Sequence, residues 1–357
     1  MNILHIIVSG SWAGTENITF SYLNGLSKNH NVAVVVKENG KFSKKFYQEK
    51  LSQNVQLITL KDISDLTSIN KKINKELAFV PDIIHAHLSL GCRIARTMKK
   101  ASNIIIAHMH MRFYAIQFSE FDALVAVSSW QLKDIPRWYE GYSKVIPNFN
   151  QELKSVSFDQ LERFKRRIYF EEDEYIIGTV CRLHIEKGID TLINAFIKAN
   201  IPKSKLVIIG DGIHLNYFKK LALGHNNIYF IGFLDDAYKY MKVFNLYISP
   251  SRADSFGLST LEAIEQGIPV LASDTFGSKD ILKGYEEFLF KIANEHELCI
   301  KILNMYNNKK LSKKHIDISL YNSTRSLMLL EKYYEDLRLA YQFKNKKDQN
   351  SVDSSIL

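Results

Sequence analysis

Short, continuous runs of branched apolar residues recur along this chain, separated by helical patterns, and they come in two series. The first series is ILHIIV, NVAVVV, VQLITL, DIIHAH, NIIIAHMH, ALVAVSS and KVIPN; the second is YIIGTV, KLVIIG, NIYFIG, LYISPS and PVLAS. A strand that is apolar at every position is buried on both faces, and such strands alternating with helices make a parallel sheet covered on both sides. The stretches between them are amphipathic: over residues 16–26, Ile18, Tyr22, Leu23 and Leu26 fall on one helical face. The alternation pauses after VIPNFN, where a polar helix is expected over 158–167, and then restarts. This pattern predicts an α/β chain with two doubly wound, Rossmann-like domains. The expected boundaries are 1–152 for the first domain and 153–325 for the second. A C-terminal helix over 326–345 is expected to pack back on the first domain, and a polar tail over 346–357 to be disordered. Two such domains facing each other would leave a cleft at the carboxyl ends of their strands, where open α/β sheets bind ligands.

Composition narrows the class. A length of 357 residues suits two domains, and 46% apolar residues excludes a disordered chain. Cys92, Cys181 and Cys299 show no CxxC spacing, so a reducing compartment and no structural metal site are expected. The opening MNILHIIVSG lacks a basic n-region and a small-residue cleavage site, and reads as a first strand. No apolar run approaches the about 20 residues that span a bilayer. A cytoplasmic protein is therefore expected. The net charge is +9 and uneven: residues 1–155 carry 15 Lys and 4 Arg against 12 acids. Such a surface attracts anionic partners, either the inner membrane face or a phosphorylated substrate. No aromatic-interleaved basic segment or zinc-finger spacing points to nucleic acid.

The densest chemistry lies in PSRADSFGLSTLEA, residues 250–263. Seven residues separate Asp254 from Glu262, across a Gly-containing turn that follows the strand LYISPS. A helix expected from Leu258 would offer free N–H groups at Leu258, Ser259 and Thr260, an anion site at a strand's carboxyl end. Gly257 would let a phosphate approach closely. Glu262, about one turn further in, could reach the paired hydroxyls of a ribose, and Asp254 the other end of the same ligand. The alternative is local: Ser259 and Glu262 have the spacing of a capping box. A second phosphate-type feature follows YIIGTV, where Arg182 and Lys187 lie five residues apart in a strand-to-helix loop. Two cations there can neutralise a diphosphate leaving group.

With these residues in order, the chain resembles the retaining GT-B glycosyltransferases of family 4, also called group 1. GTVCRLHIEKGID resembles that family's Gly-Arg-Leu…Lys-Gly segment, LVIIGDG its Gly-x-Gly loop (Gly210, Gly212), and IYFIGFLDD the segment whose backbone meets the nucleotide base (Phe233, Leu234). SPSRADSFGLSTLEAIEQGIPVLASD resembles its signature of two acids bracketing seven residues. The resemblance implies that Arg182 and Lys187 hold the diphosphate, Leu258 and Ser259 bind phosphate, Glu262 binds ribose and Asp254 contacts the transferred sugar. It departs in two places: the first acid is Asp254 rather than Glu, and Ser255 stands where Gly is common.

In the first half, SGSWAGTENIT resembles the family's N-terminal Gly-rich loop, with Gly14 and Thr15 as candidates near diphosphate and acceptor. It lacks the Gly-x-Gly-x-x-Gly spacing of a dinucleotide fingerprint, which counts against a dehydrogenase. In IIIAHMHMRF, His110 is favoured over His108 as the histidine that the resemblance places on the donor sugar. His85 and His87 read as mainly structural, and no third metal ligand is evident beside His108 and His110, so no metal site is expected. Arg112 is a candidate acceptor-side cation, and Phe149 replaces the family's Gly after VIPN. Together these features imply a retaining hexosyltransferase that uses a nucleotide diphosphate sugar, UDP being the family's commonest carrier, without a metal or other cofactor. The expected acceptor is a glycan or glycolipid of lipopolysaccharide or other surface polysaccharide, with peripheral contact to an anionic membrane. A GT-B epimerase and a catalytically silent nucleotide-sugar binding protein are the alternatives.

Overall fold

The computed structural model of the chain describes residues 1–150, 156–308, 310, 311 and 314–353, with side chains up to residue 343. The chain divides into two compact units, Met1–Gln151 with Tyr321–Leu357, and Glu152–Leu320. The expected junction at 152/153 falls within residues 151–155, outside the described residues.

In the first unit the strands are β1 (Asn2–Ile7), β2 (Asn31–Lys37), β3 (Val55–Leu60), β4 (Ile83–His87), β5 (Ile104–Met109), β6 (Ala123–Ala126) and β7 (Tyr142–Val145). They form one parallel sheet in the order β3-β2-β1-β4-β5-β6-β7. Helices α1 (Gly14–Leu26), α2 (Lys44–Gln48), α3 (Leu66–Glu76), α4 (Leu88–Thr97), α5 (Ala115–Phe118) and α6 (Ser129–Asp134) connect them. Every residue of β5 is buried, as is Val32–Val36 of β2, because helices cover both faces. The strand order reverses between β1 and β4, which opens a crevice at their carboxyl ends.

The second unit begins with α7 (Phe158–Arg167), which spans the expected polar helix. Then follow β8 (Tyr175–Val180), α8 (Ile189–Ala199), β9 (Ser204–Ile209), α9 (Leu215–Leu221), β10 (Ile228–Gly232), β11 (Leu246–Ser249), α10 (Leu258–Glu265), β12 (Val270–Ser273), α11 (Phe276–Ile281), β13 (Leu289–Phe290) and α12 (Glu295–Asn307). Its parallel sheet has the order β10-β9-β8-β11-β12-β13. The reversal here lies between β8 and β11, the strands that carry the two phosphate-type segments of the sequence. Both units are doubly wound, Rossmann-like α/β folds.

The last helix, α13 (Ser323–Asp353), belongs to the first unit. Leu330, Tyr334 and Leu337 bury one face of it, and Ser326 Oγ donates to the carbonyl of Pro147 at 2.9 Å. It starts before the expected residue 326 because the Asn322 side chain accepts from the N–H of Arg325 at 2.9 Å. It also continues past residue 345, into the stretch expected to be disordered. No Gly or Pro between 343 and 353 interrupts it. Residues 354–357 of that expected tail lie outside the described residues. No helix among the described residues is long and apolar enough to cross a membrane.

Candidate active site

At the switch point of the second unit, the loop leaving β8 carries Arg182 and Lys187, and the loop leaving β11 carries Asp254. Lys187 Nζ donates to Asp254 Oδ2 at 3.0 Å, with side-chain exposures of 25% and 21%. Arg182 is exposed, and its guanidinium has no partner among the described residues. A clamp fixes the two loops to each other. The N–H of Arg252 donates to the carbonyl of Glu186 at 2.7 Å, and its guanidinium forks onto Asp190 at 2.9 and 2.7 Å. A bidentate pair of this kind sets orientation as well as distance. Sequence alone gives no reason to single out Arg252 and Asp190, because their pairing spans 62 residues. From the other side, the N–H of Gly277 in α11 donates to the carbonyl of Asp254 at 3.1 Å.

Helix α10 begins at the cap residue Gly257, whose φ of +99° lies in the left-handed region. Glycine is needed there for the backbone itself, in addition to the open approach expected for a phosphate. The N–H of Thr260 is bonded to the carbonyl of Gly257 at 3.0 Å, so the expected triplet of free donors reduces to Leu258 and Ser259. The capping box does not form: Ser259 is the second helical residue, Gly257 is the cap, and no side chain caps the helix. The chain returns from β11 two residues too early for Ser259 to be the cap. Glu262 is consequently left without a local task. Its half-buried carboxyl group accepts no hydrogen bond among the described residues. Burial, reinforced by the nearby charges of Glu265 and Asp236, raises its pKa from 4.5 to about 8.

Two neutral groups mark the centre of this arrangement. Cys181 is pushed up to about 12, chiefly by burial, and it senses the charges of Lys187, Asp254 and Arg182. The buried hydroxyl of Tyr247 on β11 is raised by burial first, and also by the charges of Glu262 and Asp254. The structure thus brings Arg182, Lys187, Asp254 and Glu262 into one electrostatic neighbourhood. Gly210 and Gly212 have another reason to be glycine: a Cβ at Gly210 would stand 1.8 Å from the carbonyl oxygen of Cys181, and one at Gly212 would stand 2.4 Å from that of Leu183. They let the loops after β8 and β9 pack backbone against backbone. Phe233 is exposed and Leu234 half-buried in the loop after β10, the loop that also carries Asp236 toward Glu262.

In the first unit, Gly14 and Thr15 open α1 directly after the loop from β1. Glu16 shapes that loop: its carboxylate accepts from the N–H of Ala13 at 2.9 Å and from Ser9 Oγ at 2.6 Å. An acid at the third helical position is the sequence trace of this contact. His110, just past β5, is half-buried, and burial lowers its pKa to about 4. His108 is wholly buried in the sheet. His87 Nδ1 lies 3.3 Å from His110 Nε2, so the expectation that no third histidine joins this pair fails in space: neighbouring strand β4 supplies it. Arg112 is not a free cation; it pairs with Asp134 of α6 at 2.8 Å. Phe149 is buried edge-on against Tyr22, with ring centroids 5.1 Å apart.

Known proteins are similar to this chain in sequence and in fold. The family model described as Glycosyl transferases group 1 matches residues 161–319, which contain the whole switch-point site of the second unit. The O-antigen biosynthesis glycosyltransferase WclY of Escherichia coli is 32% identical over 247 residues, covering 62% of this chain and 67% of that protein. An uncharacterized 41.2 kDa protein in the cps region of Klebsiella pneumoniae is 26% identical over 316 residues, covering 79% and 83%. Among solved structures, Anabaena HepE in complex with UDP and glucose superposes with a TM-score of 0.75 at 19% identity, covering 94% of this chain and 99% of that one, a likeness of fold. With its switch-point site inside the matched segment and its two doubly wound units shared with GT-B structures, the chain belongs to the group 1 glycosyl transferases.

Proposed function

We propose that the protein moves a hexosyl group from UDP to an acceptor hydroxyl with retention at the transferred carbon. The observation that carries this reading is the convergence at one switch point of Arg182, the Lys187–Asp254 pair, two free helix N–H groups and the unpartnered Glu262. Breaking the bond between sugar and phosphate builds negative charge on the diphosphate. Arg182, Lys187 and the N–H groups of Leu258 and Ser259 offset that charge where it develops. Lys187 exchanges Asp254 for a phosphate oxygen, which frees Asp254 for the sugar hydroxyls. Glu262 takes the ribose hydroxyls, and the backbone at Phe233 and Leu234 takes the base. Gly210 and Gly212 keep the floor of the site thin. Gly14, Thr15 and His110 are the first unit's own candidate substrate contacts, as the family resemblance implies. Protein cations supply the neutralisation, so the transfer step uses no divalent ion or other cofactor.

The choice of UDP is supported by the fold shared with HepE, which was solved with UDP and glucose. The acceptor class is supported by WclY, a protein of O-antigen biosynthesis, and by the Klebsiella relative in a cps region. Retention is the stereochemistry that the resemblance to the retaining family implies. The acceptor is therefore a growing surface polysaccharide, met at the inner face of the cytoplasmic membrane, where the basic first unit is drawn to anionic lipid.

The first test is thermal melting with UDP, GDP, ADP and NAD, on wild type and on Glu262→Ala. UDP at about one hundred times its Kd is expected to stabilise wild type by about 2.7 kcal/mol, and the gain should vanish in the variant. Stabilisation without transfer or hydrolysis of any UDP-sugar would identify a binding protein. No response to any nucleotide would remove the reading.

A further inference from the structure

Five of the eleven histidines of the chain lie together within the first unit. His5 pairs in register with His85 and His87 with His108, so β1, β4 and β5 present them on one face. His110 follows His108 by two residues and continues that face. Neighbouring rings of His85, His87, His108 and His110 have centroids 4.7 to 5.6 Å apart. Buried imidazoles normally find partners, yet neither nitrogen of His108 has one among the described residues. Such atoms in a native core call for an explanation, and a bound ion is one of the few available.

The contacts of His87 narrow the choice. Its Nδ1 lies 3.3 Å from His110 Nε2 and 3.3 Å from Thr19 Oγ1. The Thr19 hydroxyl proton is already donated to the carbonyl of Thr15 at 2.8 Å, so lone pairs of Thr19 face His87. As hydrogen bonds, both contacts would share a single proton at long range. As ligands they fit better. Two nitrogens bound to one tetrahedral ion at 2.0–2.1 Å sit about 3.3–3.4 Å apart. One nitrogen each from His87, His108 and His110 lies within 4.8 Å of the others, and His108 can turn onto an ion without breaking any bond.

We propose that His87, His108 and His110 bind one zinc ion that ties the carboxyl end of β4 to that of β5. An all-imidazole set without thiolate or carboxylate suits this borderline divalent ion. One set of tautomers orients His87 from behind and leaves the Nε2–H of His85 without a partner among the described residues. With Nδ1 on the ion, His87 donates Nε2–H to His5 Nδ1 at 3.1 Å. His5 then donates from Nε2 to the Tyr334 hydroxyl at 3.4 Å, and Tyr334 donates to His85 Nδ1 at 2.6 Å. Such partners orient ligating imidazoles. The proposal does not rest on the transfer reaction and survives its failure.

The test uses the tag-free full chain, stripped with EDTA and titrated with Zn²⁺, then Co²⁺. The expected result is uptake of one equivalent, and a melting temperature raised by roughly 5–10 °C at a hundredfold excess over Kd. Co²⁺ should give the visible absorption of a tetrahedral, nitrogen-rich site. His108→Phe and His110→Ala should each weaken binding by more than the roughly 10- to 100-fold lost with an outer-shell partner. If His108→Phe shows no cooperative melting, His110→Ala decides alone. Sub-stoichiometric uptake without a melting shift overturns the proposal, and so does uptake undiminished in the folded variants, which would place the ion on surface histidines.

Discussion

Glu262 is costly to the unliganded protein, and that cost is measurable. Its carboxyl group ionises near pH 8 in the folded chain against 4.5 unfolded. A raised folded pKa gives stability that is full below about pH 4.5 and lost as pH climbs through about 8. Glu262→Gln should therefore match wild type near pH 5 and exceed it by about 1–3 kcal/mol at pH 9 in urea unfolding. A helix-capping glutamate would instead lose stability on the same change, so a less stable variant at pH 9 would restore the capping interpretation. Lys187 makes a different prediction. Its pair with Asp254 is partly exposed, so Lys187→Ala should cost no more than about 1 kcal/mol of stability. Turnover should fall by about 10²- to 10³-fold if the ammonium offsets leaving-group charge. Unchanged kcat in steady-state assays would remove Lys187 from the mechanism. These residue types were legible in the sequence as paired acids and paired cations. Their contacts were not, since Lys187 and Asp254 stand 67 residues apart.

At the level of elements, the candidate site depends on the strand-to-helix turn from β11 into α10. Gly257→Ala tests it. The added Cβ would meet Ile281 Cδ1 at 3.4 Å, an ordinary contact, so the penalty comes from a φ of +99°. That strain is worth about 1–2 kcal/mol, or a melting temperature lower by roughly 2–8 °C. An unchanged melting curve would mean the turn relaxes without strain. The helix and its first residue, Leu258, were readable in the sequence, but the way its N-terminus is capped was not. Ser259 and Glu262 satisfy the local rule for a capping box, and the path of the chain from β11 overrides it. The two-residue strand β13 left no periodic trace, because two residues are too few to show alternation.

For the whole molecule, the excess of Lys and Arg in residues 1–155 predicts salt-sensitive binding to anionic vesicles. Sedimentation with phosphatidylglycerol vesicles should show binding at low salt that is largely lost by about 0.5 M, where the Debye length falls to about 4 Å. Binding indifferent to salt would point to apolar insertion instead. Helix α13 makes the first unit discontinuous in sequence: Tyr334 packs its hydroxyl among His5 and His85, residues about 250 or more positions earlier.

The sequence by itself determined the class, the order of the main strands and helices, and which charged groups lie in the loops at the second unit's switch point. These follow from local patterns: continuous apolar runs require double burial, and strand-to-helix loops carry the ligand-facing residues of an open sheet. The tertiary structure decided what each charged group touches. Only in space does Arg252 clamp Asp190, does Glu262 remain without a partner among the described residues, and do histidines from three strands come together. The reason is physical. Parallel pairing joins strands separated by whole helices, so the contacts that tune a carboxyl group or gather imidazoles are set by register and strand order rather than by neighbours in the chain.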